Sequence, residues 1–190
     1  MTLTQAAFGA DTFTKKLALV VAGTMFIAIA AQISVPFFPV PMTLQTLAIL
    51  IVGLSFGARL GAVTVLAYLA EGAMGLPVFA NGGAGLAYMA GPTAGFLLGF
   101  IAMAYVAGLA AGRGVVPMLV ASLVAAALIY IPGLAWPLGV ASATGIDAGW
   151  AGLAANKVFA GFAQPFLLGD AVKAVLAALA VAGGMKLLAK

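Results

Sequence analysis

From position 17 to position 58 the chain carries no charged residue, a run of 42 positions, about twice the roughly 20 apolar residues that one helix needs to cross the hydrocarbon core of a bilayer. The run therefore folds back on itself. Three prolines in Pro36-Phe-Phe-Pro-Val-Pro41 mark the reversal, since proline lacks an N–H donor and pushes the residue before it out of helical geometry. The pattern predicts spans over about 17–35 and 43–57. After Arg59 it predicts a third over 60–75, a Gly-rich connection over 76–91, and a fourth over 92–112 in which Pro92 suits the first turn. A fifth is expected over 115–135, breaking around Pro132, Gly133 and Pro137. A loop with Asp147, Trp150, Asn156 and Lys157 then precedes a sixth over 164–188. A polar lead, 1–16, precedes the first full-length apolar span, whereas a cleavable signal places a short apolar core near the start, so that span is expected to remain.

Composition turns this pattern into a solvent. The 190 residues are 65% hydrophobic and 6% charged, with a mean hydropathy of +1.25, more apolar surface than one soluble core can hide. The expected fold class is an all-α integral membrane protein: one domain over 1–190, six transmembrane helices, short loops and the Gly-rich outer loop between the third and fourth. No repeat, low-complexity segment or soluble domain stands out.

Charge supplies orientation. The eight Lys and Arg give a net charge of +4 but form no basic run, which argues against a nucleic-acid partner. Six spans put both termini on one side, and Lys15, Lys16, Arg59, Arg113, Lys186 and Lys190 all fall there. Lys157 alone lies in an opposite loop, and Lys173 lies within a span. Basic residues in short loops favour the cytoplasm, so both termini are expected inside. Trp136 and Trp150 are then expected at the outer headgroups.

The absence of Cys and His removes disulfides, thiolate nucleophiles, haem, most zinc or copper sites and any imidazole base. No P-loop motif occurs, so ATP is not hydrolysed by this chain. Gly53-Leu-Ser-Phe-Gly57 resembles a nucleophile elbow, but it ends an apolar helix and Ser55 has no His to activate it. Asp170 has no second intramembrane Asp to form a protease dyad. An intramembrane enzyme is therefore disfavoured. A solute-selective facilitator or channel is the other alternative, yet it would need polar residues along its whole path, and the inner halves of the spans hold almost none.

Three outer-leaflet clusters could carry binding. Asp170 and Lys173 lie three apart on one face of the sixth span. A charge within a span costs about 2.5–3.5 kcal/mol on insertion scales and normally faces a cavity or partner. Neutralising each other to lock the helices is the structural alternative. The loop Gly75-Leu-Pro-Val-Phe-Ala-Asn81-Gly-Gly-Ala-Gly-Leu-Ala-Tyr88 has too many glycines for a helix and too few polar residues for a solvated loop. Such backbone is tolerated at membrane depth where it is buried or lines a cavity, and Asn81 adds an amide that donates and accepts. Its alternative is a tight connection. In Pro39-Val-Pro-Met-Thr43-Leu-Gln45-Thr46, Thr43 suits a helix cap and Gln45 lies inside the helix. Glu71 either lines the same cavity or reaches the interface.

These motifs, with Gly91-Pro-Thr-Ala-Gly95 and Pro165-Phe-Leu-Leu-Gly-Asp-Ala-Val-Lys173, closely resemble the BioY family over nearly the whole chain: the biotin-specific S components of energy-coupling-factor (ECF) vitamin transporters. The resemblance implies biotin as transported ligand, no cofactor, extracellular capture and delivery inward. It also implies a bacterial cytoplasmic (inner) membrane, and an energising module of a membrane T subunit and two ATPases. By position it implies that Asn81 and Asp170 hold the ureido ring, with Lys173 as charged neighbour. Gly82, Gly83, Gln45 and Thr43 are further candidates, and Tyr68, Phe79 and Tyr88 are candidate walls. Some members place an Arg after the Gly-rich loop for the ligand carboxylate, but 81–100 contains no basic residue here. Lys173, Tyr88, backbone N–H groups or water are left for that end. Ala18 and Ala22, small residues four apart in the first span, match the family's docking pattern for the T subunit.

Overall fold

A computed structural model describes residues 1–9 and 12–188; Lys190 lies outside the described residues. The chain is mostly helical. Helices α2 (Phe13–Gln32), the continuous run Val115–Ala143 and α11 (Leu167–Leu188) are long and apolar enough to cross a membrane. The run is built from α7 (Val115–Leu128), α8 (Tyr130–Ala135), one π turn (Trp136–Val140) and α9 (Ala141–Ala143). Three shorter helices, α3 (Gln45–Phe56), α4 (Ala58–Ala73) and α6 (Ala94–Gly108), measure about 18, 24 and 22 Å at 1.5 Å per residue. Two more, α5 (Gly85–Met89) and α10 (Ala155–Phe162), cap the opposite end of the bundle from α1 (Leu3–Phe8).

The short helices are the inner ones. In α3 nine of twelve residues are buried, and in α6 ten of fifteen, against five of twenty in α2. α3 packs on α6, α4 and α11, while α6 also meets α4, α7 and α8. The longer helices turn apolar side chains outward, among them Leu17, Val21, Met25, Phe26 and Ile29 of α2 and Val172, Leu176 and Leu179 of α11. Helices apolar on every side need lipid on the face that protein leaves uncovered.

Small residues let the inner helices touch. A Cβ on Gly53 would lie 2.5 Å from the Ala104 carbonyl oxygen, and one on Gly61 would lie 3.0 Å from the Gly53 Cα. α3, α4 and α6 therefore meet backbone to backbone, as small residues allow where no hydrophobic force drives association.

One expectation is corrected and others gain detail. The chain does not break at Pro132 and Pro137. Gly133 N–H still reaches the Ile129 carbonyl at 3.0 Å, and the π turn beginning at Trp136 absorbs Pro137, whose missing donor an ordinary turn could not tolerate. The polar lead is partly helical: in α1 Thr2 Oγ1 accepts from Gln5 N–H while Gln5 Oε1 accepts from Thr2 N–H, a reciprocal capping box. Thr4 then donates to the Ser55 carbonyl at 3.1 Å, satisfying one of the free acceptors at the α3 end. The 36–41 reversal is closed by a two-residue antiparallel ladder, Ser34 opposite Thr43 and Val35 opposite Met42. The Gly-rich connection contains a 3₁₀ turn, Ala80–Gly82, and the short helix α5. Trp136 donates its indole N–H to the Gly91 carbonyl at 3.0 Å, so its polar tip is used inside the protein.

Substituting Gly53 by Ala is expected to push α3 off α6 and destabilise by about 1–3 kcal/mol, the usual range for overpacking. Gly183→Ala, where an added Cβ meets nothing within 4 Å, is the control. Thermal unfolding of both in detergent measures this, with the Tm lowered by several degrees only for Gly53→Ala.

Candidate functional site

Asp170 is the fourth residue of α11 and Lys173 the seventh, about 4.5 and 9 Å from its start at 1.5 Å per residue. The first turn suits an acid, because free N–H groups there carry partial positive charge. Both side chains are buried, 5% and 8% exposed, so each needs bonding partners rather than water.

Those partners come from three helices. Lys173 Nζ donates to Asp170 Oδ1 at 3.1 Å, to Thr46 Oγ1 at 3.1 Å and to the Thr43 carbonyl at 2.8 Å. An ammonium has three N–H bonds, so the protein occupies all of them. Thr46 Oγ1 donates to Asp170 Oδ1 at 3.0 Å, and the Tyr130 hydroxyl donates to Asp170 Oδ2 at 2.7 Å. The ion pair thus joins α11 to the start of α3 and to α8.

A cavity lies against this cluster. It is narrow and opens at a mouth, and the space between its atoms, counted out into that opening, is about 540 Å³. Thr43, Gln45, Thr46, Tyr130, Asp170 and Lys173 form its polar wall. Phe96, Leu97, Phe100, Ile129 and Phe166 form its apolar wall, and Ala80, Tyr88 and Thr93 close it from the loop side. An apolar slot with a few convergent polar groups is the usual form of a small-molecule site.

The polar wall is held from behind. Thr43 is not the cap of α3, a position that Leu44 holds without a side-chain bond, but its Oγ1 accepts from Gln45 N–H at 3.1 Å and donates to Gln45 Oε1 at 3.0 Å. Gln45 Nε2 donates to the Tyr68 hydroxyl at 2.7 Å, which donates to the Val78 carbonyl at 2.8 Å. Tyr68 and Phe79 are fully buried and stand behind the cavity, not in its lining. Phe79 lies edge-on to Tyr68, ring centres 5.6 Å apart, and stacks on Tyr88 at 5.0 Å and 16°. Gly72 makes room, since a Cβ there would collide with the Phe79 ring. Burial raises the Tyr88 phenol pKa above its ordinary value, against the smaller opposing effect of a hydrogen bond with Thr93, so Tyr88 stays a neutral donor at physiological pH.

Asn81 is placed elsewhere. It adopts a left-handed backbone, φ 57°, is exposed, and accepts from Ser34 Oγ at 2.8 Å. With Gly83 it lines an adjoining outer cleft that shares Pro41, Ala80, Tyr88 and Thr93 with the cavity. Gly82 donates its N–H to Gln32 Oε1 at 2.9 Å, and Gln32 Nε2 donates to the Phe79 carbonyl at 3.0 Å. The end of α2 therefore clamps the loop from both sides. Glu71 is partly buried on α4 and lines neither space. Ala18 and Ala22 are exposed on α2.

The structure thus brings Asp170, Lys173, Thr43, Gln45 and Tyr88 together, and sets Asn81, Gly82, Gly83, Tyr68 and Phe79 around them. Sequence reasoning missed Tyr130 and the role of Thr46. A phenol in the long apolar run after Arg113 was a usable signal for the first. The second has none, because its partner lies 124 positions away.

Comparison with known proteins agrees with this architecture. The chain is 37% identical to a probable biotin transporter BioY of Pyrococcus horikoshii, over 87% of this chain and 93% of the relative. It is 40% identical to the biotin transporter BioY of Rhizobium etli, over 85% and 87%. Its fold is similar to the crystal structure of an S component for biotin from an ECF-type ABC transporter, with a TM-score of 0.73 over 93% of this chain and 95% of that one at 24% identity. Residues 2–190 match the model of the BioY family, and the chain belongs to that family.

Proposed function

We propose that this protein is the substrate-binding membrane component of a biotin uptake system. It is a transport protein and not an enzyme. The observation that carries the reading is a buried Asp170–Lys173 pair in the wall of a narrow apolar cavity, with the lysine's donors all used and the carboxylate still able to accept, in a chain whose relatives are named biotin transporters.

A cyclic urea offers two N–H donors and one strong acceptor, and Asp170 can accept from the first kind. Gln45 has a second N–H beyond the one given to Tyr68, available to the ring carbonyl. Lys173, with three bonds to protein, acts mainly by holding the Asp170 carboxyl group in place. The apolar wall of Phe96, Leu97, Phe100 and Phe166 takes the sulfur ring and the aliphatic chain. Tyr88 lines both the cavity and the outer cleft, which suits it to the carboxylate end. Asn81 joins the ring when the loop carrying it moves inward, with Gly82, Gly83 and Gly85 giving that loop its freedom. Tyr68 and Phe79 brace the wall.

The wider reading is one membrane domain of six spans, the three long helices together with α3, α4 and α6. Lys15, Lys16, Arg59, Arg113 and Lys186 lie toward a cytoplasmic side, with both termini there, in a bacterial inner membrane. The site then opens outward. Exposed Ala18 and Ala22 on α2 suit close approach by the T subunit of an ECF module, with two ATPases supplying energy. No cofactor is called for.

Biotin is expected to raise the Tm of the purified protein, with thiamine and riboflavin without effect; a thermal-shift titration with no response to biotin overturns the reading. Asp170→Asn is expected to weaken biotin binding by about 10- to 150-fold, since a hydrogen bond to a charged group is worth about 1.5–3 kcal/mol. Thr43→Ala should change it by less than about tenfold, because the Thr43 group that bonds Lys173 is its backbone carbonyl and a neutral, part-buried hydroxyl bond is worth about 0.5–1.5 kcal/mol. Calorimetry on both variants measures the difference, and equal effects return Asp170 to a purely structural role.

A further inference from the structure

The bonds around Asp170 leave an asymmetric vacancy. Each carboxylate oxygen offers about two lone-pair sites. Oδ1 already accepts from Thr46 and Lys173, and Oδ2 accepts from Tyr130. One acceptor site is left on Oδ2, beside the Tyr130 hydroxyl.

Tyr130 has a second geometric property. With Asp170 it lines both the central cavity and a separate apolar groove between α7, α10 and α11, flanked by Leu123, Leu134, Phe159 and Leu167. Leu123, Phe159 and Leu167 are exposed, so that groove faces the outside of the bundle. The Tyr130 ring, held edge-on against Phe96 with centres 5.9 Å apart, therefore stands in the wall between the ligand space and the lipid side. Its hydroxyl occupies one of the two acceptor sites of Oδ2.

We propose that Tyr130 is a positioning and specificity-determining residue: by occupying one lone pair of Asp170 Oδ2 it dictates which ureido N–H of the ligand the carboxylate accepts. The proposal rests on the reading of Asp170 as the urea acceptor. A tyrosine that merely filled space would lower the affinity of every ligand alike. A tyrosine that aims the carboxylate sets the preference between ligands differing at a single N–H.

The test compares biotin with its two derivatives methylated on one or the other ureido nitrogen, titrated by calorimetry into the full chain and into Tyr130→Phe. Phenylalanine keeps the ring and the partition and removes the hydroxyl alone. In the unsubstituted protein one methylated isomer should bind far more weakly than the other. Tyr130→Phe should lose about tenfold in biotin affinity, the scale of one bond to a charged group, while the weak isomer changes by less than about twofold. The discrimination between isomers then collapses. Equal affinity of the two isomers for the unsubstituted chain overturns the proposal, as does a uniform loss for all three ligands in Tyr130→Phe. Biotin binding with unchanged discrimination overturns this inference alone. Failure of the unsubstituted chain to bind biotin overturns the functional reading and this inference with it.

Discussion

An ammonium and a carboxylate buried in an apolar bundle are each costly to desolvate, and their mutual attraction offsets that only when the remaining protons and lone pairs are also bonded. Here that requirement organises the end of the bundle that holds the cavity. Lys173 needs three acceptors, and two of them come from the ladder residue Thr43, through its carbonyl, and from the Thr46 hydroxyl in the first turn of α3. Asp170 needs donors on both oxygens, and α8 supplies Tyr130. Helices far apart in sequence are drawn to one point because the charges have no water to turn to. The cavity is the space left where these helices converge on polar contacts above a floor of Phe and Leu.

The scaffold around that point is made differently. α3, α4 and α6 approach through Gly53, Gly61 and Ala104, and the outer helices bury little and face lipid. Packing and polar bonding therefore divide the bundle: small residues set the inner contacts, and the ion pair with its partners sets the outer ones. Gln32 and Ser34 add a third element by tying the loop over the site to the end of α2.

Much of this was legible in the chain. The charge-free run, the three prolines and the one-sided Lys and Arg located the apolar helices, and the spacing of Asp170 and Lys173 announced a buried pair. Proline was the weak point: Pro132 and Pro137 read as a break, yet a π turn carries the helix through, and only the three-dimensional ladder reveals that. The Thr2 and Gln5 capping box was readable and marks α1. In the site, Thr46 and Tyr130 were hidden because their significance lies in distances across helices. Asn81 was expected in the same space as Asp170, and its left-handed backbone and bond to Ser34 place it in the cleft next door. Tyr68 and Phe79 were expected to form the wall itself, but burial puts them behind it, where they brace Gln45 and Tyr88.

The backbone contact of α3, α4 and α6 also has an electrical meaning. Below the cavity α3, α4 and α6 touch through glycine and alanine against carbonyl oxygen, and the buried polar side chains there are short hydroxyls, Ser55 and Thr64, the second already bonded to the Leu60 carbonyl. A file of water or hydrated ions needs polar groups along its whole path, and this packing meets it with backbone contact instead.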